Sequence, residues 1–114
     1  MQAKVLHSVW PISEFYGRQL LLLLVLSPVL EELVVRAGLQ EWLMRRAPHA
    51  VAPPVLVSAA TFGLLHLRSG WLHALAVIVP GLALALLYQR TRSWRWCAVA
   101  HSAMNAFAIS VCGL

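Results

Sequence analysis

Four side chains in this sequence are of types that together can hydrolyse an amide: Glu31, His66, His101 and Asn105. A carboxylate and an imidazole facing one water can take its proton and make it a nucleophile. A second imidazole and an amide N–H can then hold the oxyanion of the tetrahedral intermediate. Each of the four lies in an apolar block rather than a polar loop. Ionisable groups at such positions cost about 2.5–3.5 kcal/mol each on membrane-insertion scales, so their presence points to function. The chain has no aspartate, so a Ser-His-Asp set is unavailable. Water-activated amide hydrolysis is the reaction class these residues permit.

The acid at the centre of this set has a neighbour. The stretch SPVLEELVVRAG (27–38) holds Glu31 and Glu32, half of the chain's acidic residues. Glu32 and Arg36 are four apart with the acid first, so on a helix they share a face and pair. Glu31 is turned by about 100° from Glu32 and points elsewhere, unpaired. His101 and Asn105, again four apart, face one way, and His66 follows Phe62 by the same interval. The expected division is Glu31 to the histidines of other helices, and Glu32 to Arg36 as a structural pair.

Four elements must position these groups. A first helix is expected from about 19 to 45, with a kink at Pro28, which has no N–H to donate. The turn 47–54 holds three prolines, and a second apolar segment follows from Val55 to Leu67. Arg68-Ser69-Gly70 reads as a tight turn, Trp71 to Tyr88 as a third helix, QRTRSWRW (89–96) as a basic aromatic loop and Cys97 to Val111 as a fourth helix. Short connections make this an antiparallel up-and-down bundle. At about 1.5 Å of rise per residue, Glu31 lies about 21 Å from the Arg45 end and His66 about 20 Å from Pro53. His101 and Asn105 lie about 9 and 15 Å in from Arg95, so all four can meet near mid-membrane. His7, His49 and His73 fall at helix ends or loops and read as surface. Residues 1–18, with Trp10, Phe15 and Tyr16, read as an interfacial segment preceding a core over 19–114.

Composition agrees with a membrane. Of 114 residues 61% are hydrophobic and 11% charged, with mean hydropathy +0.75, against about 25% charged in soluble domains. The fold class expected is therefore all-α, an integral membrane bundle of about four transmembrane helices. The net charge of +5 comes from basic residues lying between apolar blocks, which suits juxtamembrane loops and anionic headgroups and not a nucleic-acid partner. Arg45, Arg46, Arg90, Arg92 and Arg95 against Lys4, Arg18 and Arg68 place the first group in the cytoplasm and both termini outside. The cysteines Cys97 and Cys112 stand about 22 Å apart on one helix and read as small apolar fillers without zinc spacing. The N-terminus lacks the pattern of a cleavable signal peptide.

EELVVR (31–36), FGLLH (62–66) and HSAMN (101–105), in this order, resemble the three motifs of the CPBP family, the CAAX protease and bacteriocin-processing (Abi) intramembrane endopeptidases. The resemblance covers about residues 27–109. It implies that Glu31 and His66 activate the catalytic water, that His101 and Asn105 form the oxyanion site, and that Glu32, Arg36 and Phe62 shape the cavity. It also implies a glutamate-type protease without an obligatory cofactor or metal. Its partners would be the bilayer and a membrane-anchored protein or peptide substrate, in a bacterial inner membrane. Members commonly carry extra helices, so a homo-oligomer or partner subunit would supply the missing cavity walls.

Three other readings compete. Glu31, His66 and His101 are legitimate zinc ligands. A four-helix chain with a glutamate in its first helix also looks like a small proton-coupled multidrug transporter, which has no use for Arg36, His66, His101 and Asn105 at matching depth. A catalytically inactive Abi-like scaffold or immunity protein would keep the same residues as polar packing.

Overall fold

The computed structural model describes residues 17–112, all helical but for short connections. The expected interfacial segment lies outside the described residues except for 17 and 18. Helix α1 covers 17–46, α2 is Ala52–Leu64, α3 is Trp71–Thr91 and α4 is Trp94–Cys112, with a 3₁₀ turn at Leu67–Ser69. No strand occurs among the described residues. The expected number and order of helices therefore hold, with ends shifted by a few residues. Pro53 and Pro54 fall in the first turn of α2, where a missing N–H costs nothing because those donors have no helical partner. The loop expected over 89–96 shrinks to a break at Arg92 and Ser93. Arg92 there takes the left-handed conformation at φ 51°, and its N–H closes α3 on the Tyr88 carbonyl at 2.7 Å. At the opposite end Gly70 turns the chain into α3 at φ 108°, which side chains other than hydrogen resist.

Helix α1 is not uniform. It widens to π geometry at Leu22–Leu26 and again at Leu33–Gln40, on both sides of the α-helical Ser27–Glu32. Single-turn π bulges concentrate at functional sites, and here they bracket the two glutamates. The first bulge has a local cause. In the wide register residue 28 should donate to the Leu23 carbonyl, and in the α register to the Leu24 carbonyl, but residue 28 is proline. Helix α4 brings a donor to each of these two carbonyls: Asn105 Nδ2 donates to Leu23 O at 2.7 Å, and Ser102 Oγ donates to Leu24 O. A backbone defect made by one residue becomes the seam between two helices.

Helices α2 and α3 meet more closely. A Cβ on Gly63 would stand 2.7 Å from Ile78 Cγ1 and 3.1 Å from the Ala74 carbonyl, so only glycine permits this crossing. Gly81 likewise admits the Phe62 ring, which a Cβ would meet at 3.1 Å. Met44, Leu84, Tyr88 and Cys97 make a buried cluster joining α1, α3 and α4. The outer faces are apolar, with Val34, Leu56, Leu72, Val79 and Phe107 exposed. Of the described helices only α3 is long and apolar enough to cross a membrane by length and composition, and α2 is a shorter apolar helix. The expectation of four spanning helices is thus met in helix number, with one clear spanning helix among them.

Candidate active site

The polar residues of the interior gather where the α-helical part of α1 faces α4. Glu32 and Arg36 are both fully buried, with Glu32 Oε1 3.2 Å from Arg36 Nε. This is the i,i+4 pair that spacing predicts. It is a charge contact without hydrogen-bond geometry, since neither of these two atoms has a hydrogen-bond partner among the described residues. The guanidinium donates through Nη2 to the Gly81 carbonyl at 2.9 Å, and its Cζ lies 5.0 Å from the Phe62 ring centroid. Gln40, one turn further along, donates to the Ala85 carbonyl at 2.8 Å. Both long side chains therefore tie α1 to the backbone of α3.

His101 comes from α4 and is nearly buried. Its Nδ1–H donates to Glu32 Oε2 at 3.0 Å, and its Nε2 stands 3.4 Å from Glu31 Oε2. Glu31 is about a quarter exposed and also accepts from Ser27 Oγ at 3.1 Å. The two acids are therefore not divided between different partners, as the helix wheel suggests. One imidazole is long enough to reach across the 100° between them.

His66 follows α2 directly, and its Nδ1–H donates to the Phe62 carbonyl at 2.7 Å, since a carbonyl can only accept. That leaves Nε2 as its free ring nitrogen. Its ring lies 4.8 Å from the Phe62 centroid, and Phe62 in turn lies edge-on to His101 at 5.2 Å. Phe62 is thus the spacer between the two histidines and the ring on which Arg36 rests. Asn105 is one helical turn beyond His101, with one amide hydrogen on Leu23 O and a second remaining. The structure brings Glu31, Glu32, Arg36 and His101 into contact, sets His66 one aromatic ring away, and seats Asn105 on the neighbouring backbone.

Three participants escape a reading of the sequence. Ser27 holds Glu31 from one turn before it, a spacing that is visible once α1 is known to be helical there. Ser102 closes the Pro28 defect, which only the register of α4 reveals. His73, assigned to the surface, is exposed but stands 5.8 Å from the His66 ring across the α2–α3 turn. Cys97, four residues before His101, turns instead into the core, with Sγ 3.5 Å from the Leu84 carbonyl. No group of three or more histidine, cysteine or acidic side chains is gathered at metal-binding distance among the described residues. An apolar groove of about 450 Å³ runs beside this cluster between α1 and α4, lined by Leu24, Val25, Val29, Ala98, Ser102 and Ala106 among others.

The described residues form an all-α bundle with an apolar exterior and a glutamate–histidine–arginine cluster buried between helices, which defines a class of helical protein with ionisable groups in its interior. Residues 14–107 match the family described as type II CAAX prenyl endopeptidase Rce1-like, and the chain belongs to that family. The family is one of membrane proteins, and its activity is that of a CAAX-type intramembrane protease. No match was found among curated proteins or among solved structures.

Proposed function

We propose that this chain is a glutamate-type intramembrane endopeptidase, cleaving a peptide bond of a membrane-associated protein or peptide precursor. The observation behind this reading is the quarter-exposed carboxylate of Glu31 beside a buried His101 that is already held by a second acid. In this mechanism Glu31 takes one proton from a water as the water oxygen bonds to the scissile carbonyl carbon. His66 supports the same water through its free Nε2. The carbonyl oxygen becomes an oxyanion and accepts from His101 and from the second amide hydrogen of Asn105. When the intermediate collapses the C–N bond breaks, and Glu31 returns its proton to the leaving nitrogen. The products are a carboxylic acid and an amine, and water is the only co-reactant.

The four helices would lie as a bundle in a bilayer, a bacterial inner membrane by the reading above, with the groove between α1 and α4 offering an apolar segment of substrate a lateral approach. Co-expression with a membrane-anchored precursor encoded beside its gene tests the assignment. The wild type should yield a shortened product by mass, and Glu31→Ala should not. Unchanged cleavage by Glu31→Ala would sink the reading.

A further inference from the structure

We infer that Arg36, Gln40 and Ser58 together hold one buried water, and that this water is the polar link between α1 and α2. The interior is built in levels. Arg36 donates to the Gly81 carbonyl and Gln40 to the Ala85 carbonyl, so α1 and α3 run side by side at a constant offset of 45 residues. Helix α2 runs the other way against both. Its Phe62 ring lies 5.0 Å from Arg36 Cζ, and a Cβ on Gly81 would meet that ring at 3.1 Å, which sets Phe62 on the level of Arg36 and Gly81. Ser58 is one turn back on the same buried face of α2, which sets it on the level of Gln40 and Ala85. Helix α3 offers only glycine and alanine at these two levels, so little side chain intrudes from it.

Polar atoms on these two levels lack partners. Arg36 Nη1, Gln40 Oε1 and Ser58 Oγ have no hydrogen-bond partner among the described residues, and the residues that carry them are fully buried. Buried polar groups left unserved are costly and rare. The Gln40 amide is oriented by its Nε2 on a carbonyl, so the end left over is the acceptor. A serine within a helix can turn its hydroxyl back on the carbonyl four residues earlier. Ser58 does not, so its hydroxyl is free for another group. The set is one donor, one acceptor and one hydroxyl that can be either. The guanidinium excludes a cation and the Gln40 oxygen disfavours an anion, so the ligand is neutral. A water fits: it accepts from Arg36 Nη1, donates to Gln40 Oε1 and makes its third bond with Ser58 Oγ, the usual number for a buried water. Adjacent levels are about 6 Å apart at about 1.5 Å per residue, a span that one water covers with a bond of about 2.8 Å on either side.

The consequence is positional. Side-chain hydrogen bonds join α1 to α3 and to α4, and none joins α1 to α2 among the described residues. The water supplies that link one turn from Phe62, and so fixes the helix that leads to His66 against the helix that carries Glu31 and Glu32. The test uses the full chain in nanodiscs, perdeuterated, labelled with ¹⁵N-glutamine and back-exchanged into ordinary water. The Gln40 side-chain amide is assigned by loss of its signal in Gln40→Leu. A cross peak between that amide and a long-lived water is expected in the wild type; its absence overturns the proposal. The cross peak should persist in Ser58→Ala, where Arg36 and Gln40 still hold the water. Loss there would trace it to the serine hydroxyl, and overturn the proposal as well. The midpoint of thermal unfolding gives an independent sign, because deleting a hydroxyl that has no partner raises it and deleting one that serves a water lowers it. Ser58→Ala should unfold a few degrees below the wild type; an unchanged or raised midpoint would also overturn the proposal.

Discussion

The first helix carries the same local pattern twice, a glutamate followed four residues later by an arginine: Glu32 with Arg36, and Glu41 with Arg45. Nothing in the pattern distinguishes them. In the second, the Arg45 side chain is 77% exposed, and Glu41 also meets Arg92 at 3.2 Å and the Tyr88 hydroxyl at 2.8 Å. In the first, both side chains are fully buried, and the third partner is His101 in place of tyrosine. Each glutamate therefore joins α1 to another helix through a side chain that donates to it. Glu41 is a clamp at the basic end of the bundle, where water serves any lone pair left over. Glu32 has no such solvent, so every contact it makes or lacks has a consequence. The environment, and not the motif, decides which pair is structural and which belongs to a site.

Breaking the two pairs in parallel sharpens this contrast. The largest effect is expected beside the buried pair: Glu31→Gln keeps the shape and removes the base, and should lower the cleavage rate by about 10²–10⁴-fold in reconstituted protein. Glu32→Ala should follow, destabilising the fold by about 3–5 kcal/mol because Arg36 is left buried without its counter-charge, as read by unfolding in detergent. Tyr88→Phe removes one hydrogen bond to a glutamate that keeps its arginines, and should cost about 1 kcal/mol in the same assay. Arg45→Ala should change stability by at most about 0.5 kcal/mol. Equal losses from Glu32→Ala and Arg45→Ala would show that burial does not separate the pairs.

Much of this arrangement was legible beforehand, because it follows from helical spacing. Glu32 with Arg36, His66 on the Phe62 turn and His101 with Asn105 on one face all follow from an interval of four. The union of Glu31 and Glu32 on one histidine was not legible, because it depends on how far α4 sits from α1 and not on the angle between neighbouring residues. Asn105 was expected to turn one way with His101 toward the reaction. The structure places one of its hydrogens on Leu23 O, since the Pro28 defect creates an acceptor that local spacing does not show. The length of α3 was underestimated because the polar tail Gln89-Arg90-Thr91 reads as loop, yet it continues the helix to its αL end at Arg92.

The Pro28 seam has an evolutionary consequence. Proline at 28 is tolerable because Ser102 and Asn105 serve the carbonyls beside it, and with another residue at 28 its N–H would share one of those acceptors. The three positions are therefore expected to vary together: among relatives, an ordinary residue at 28 should travel with relaxed choice at 102, and a retained proline with a hydroxyl or amide opposite it.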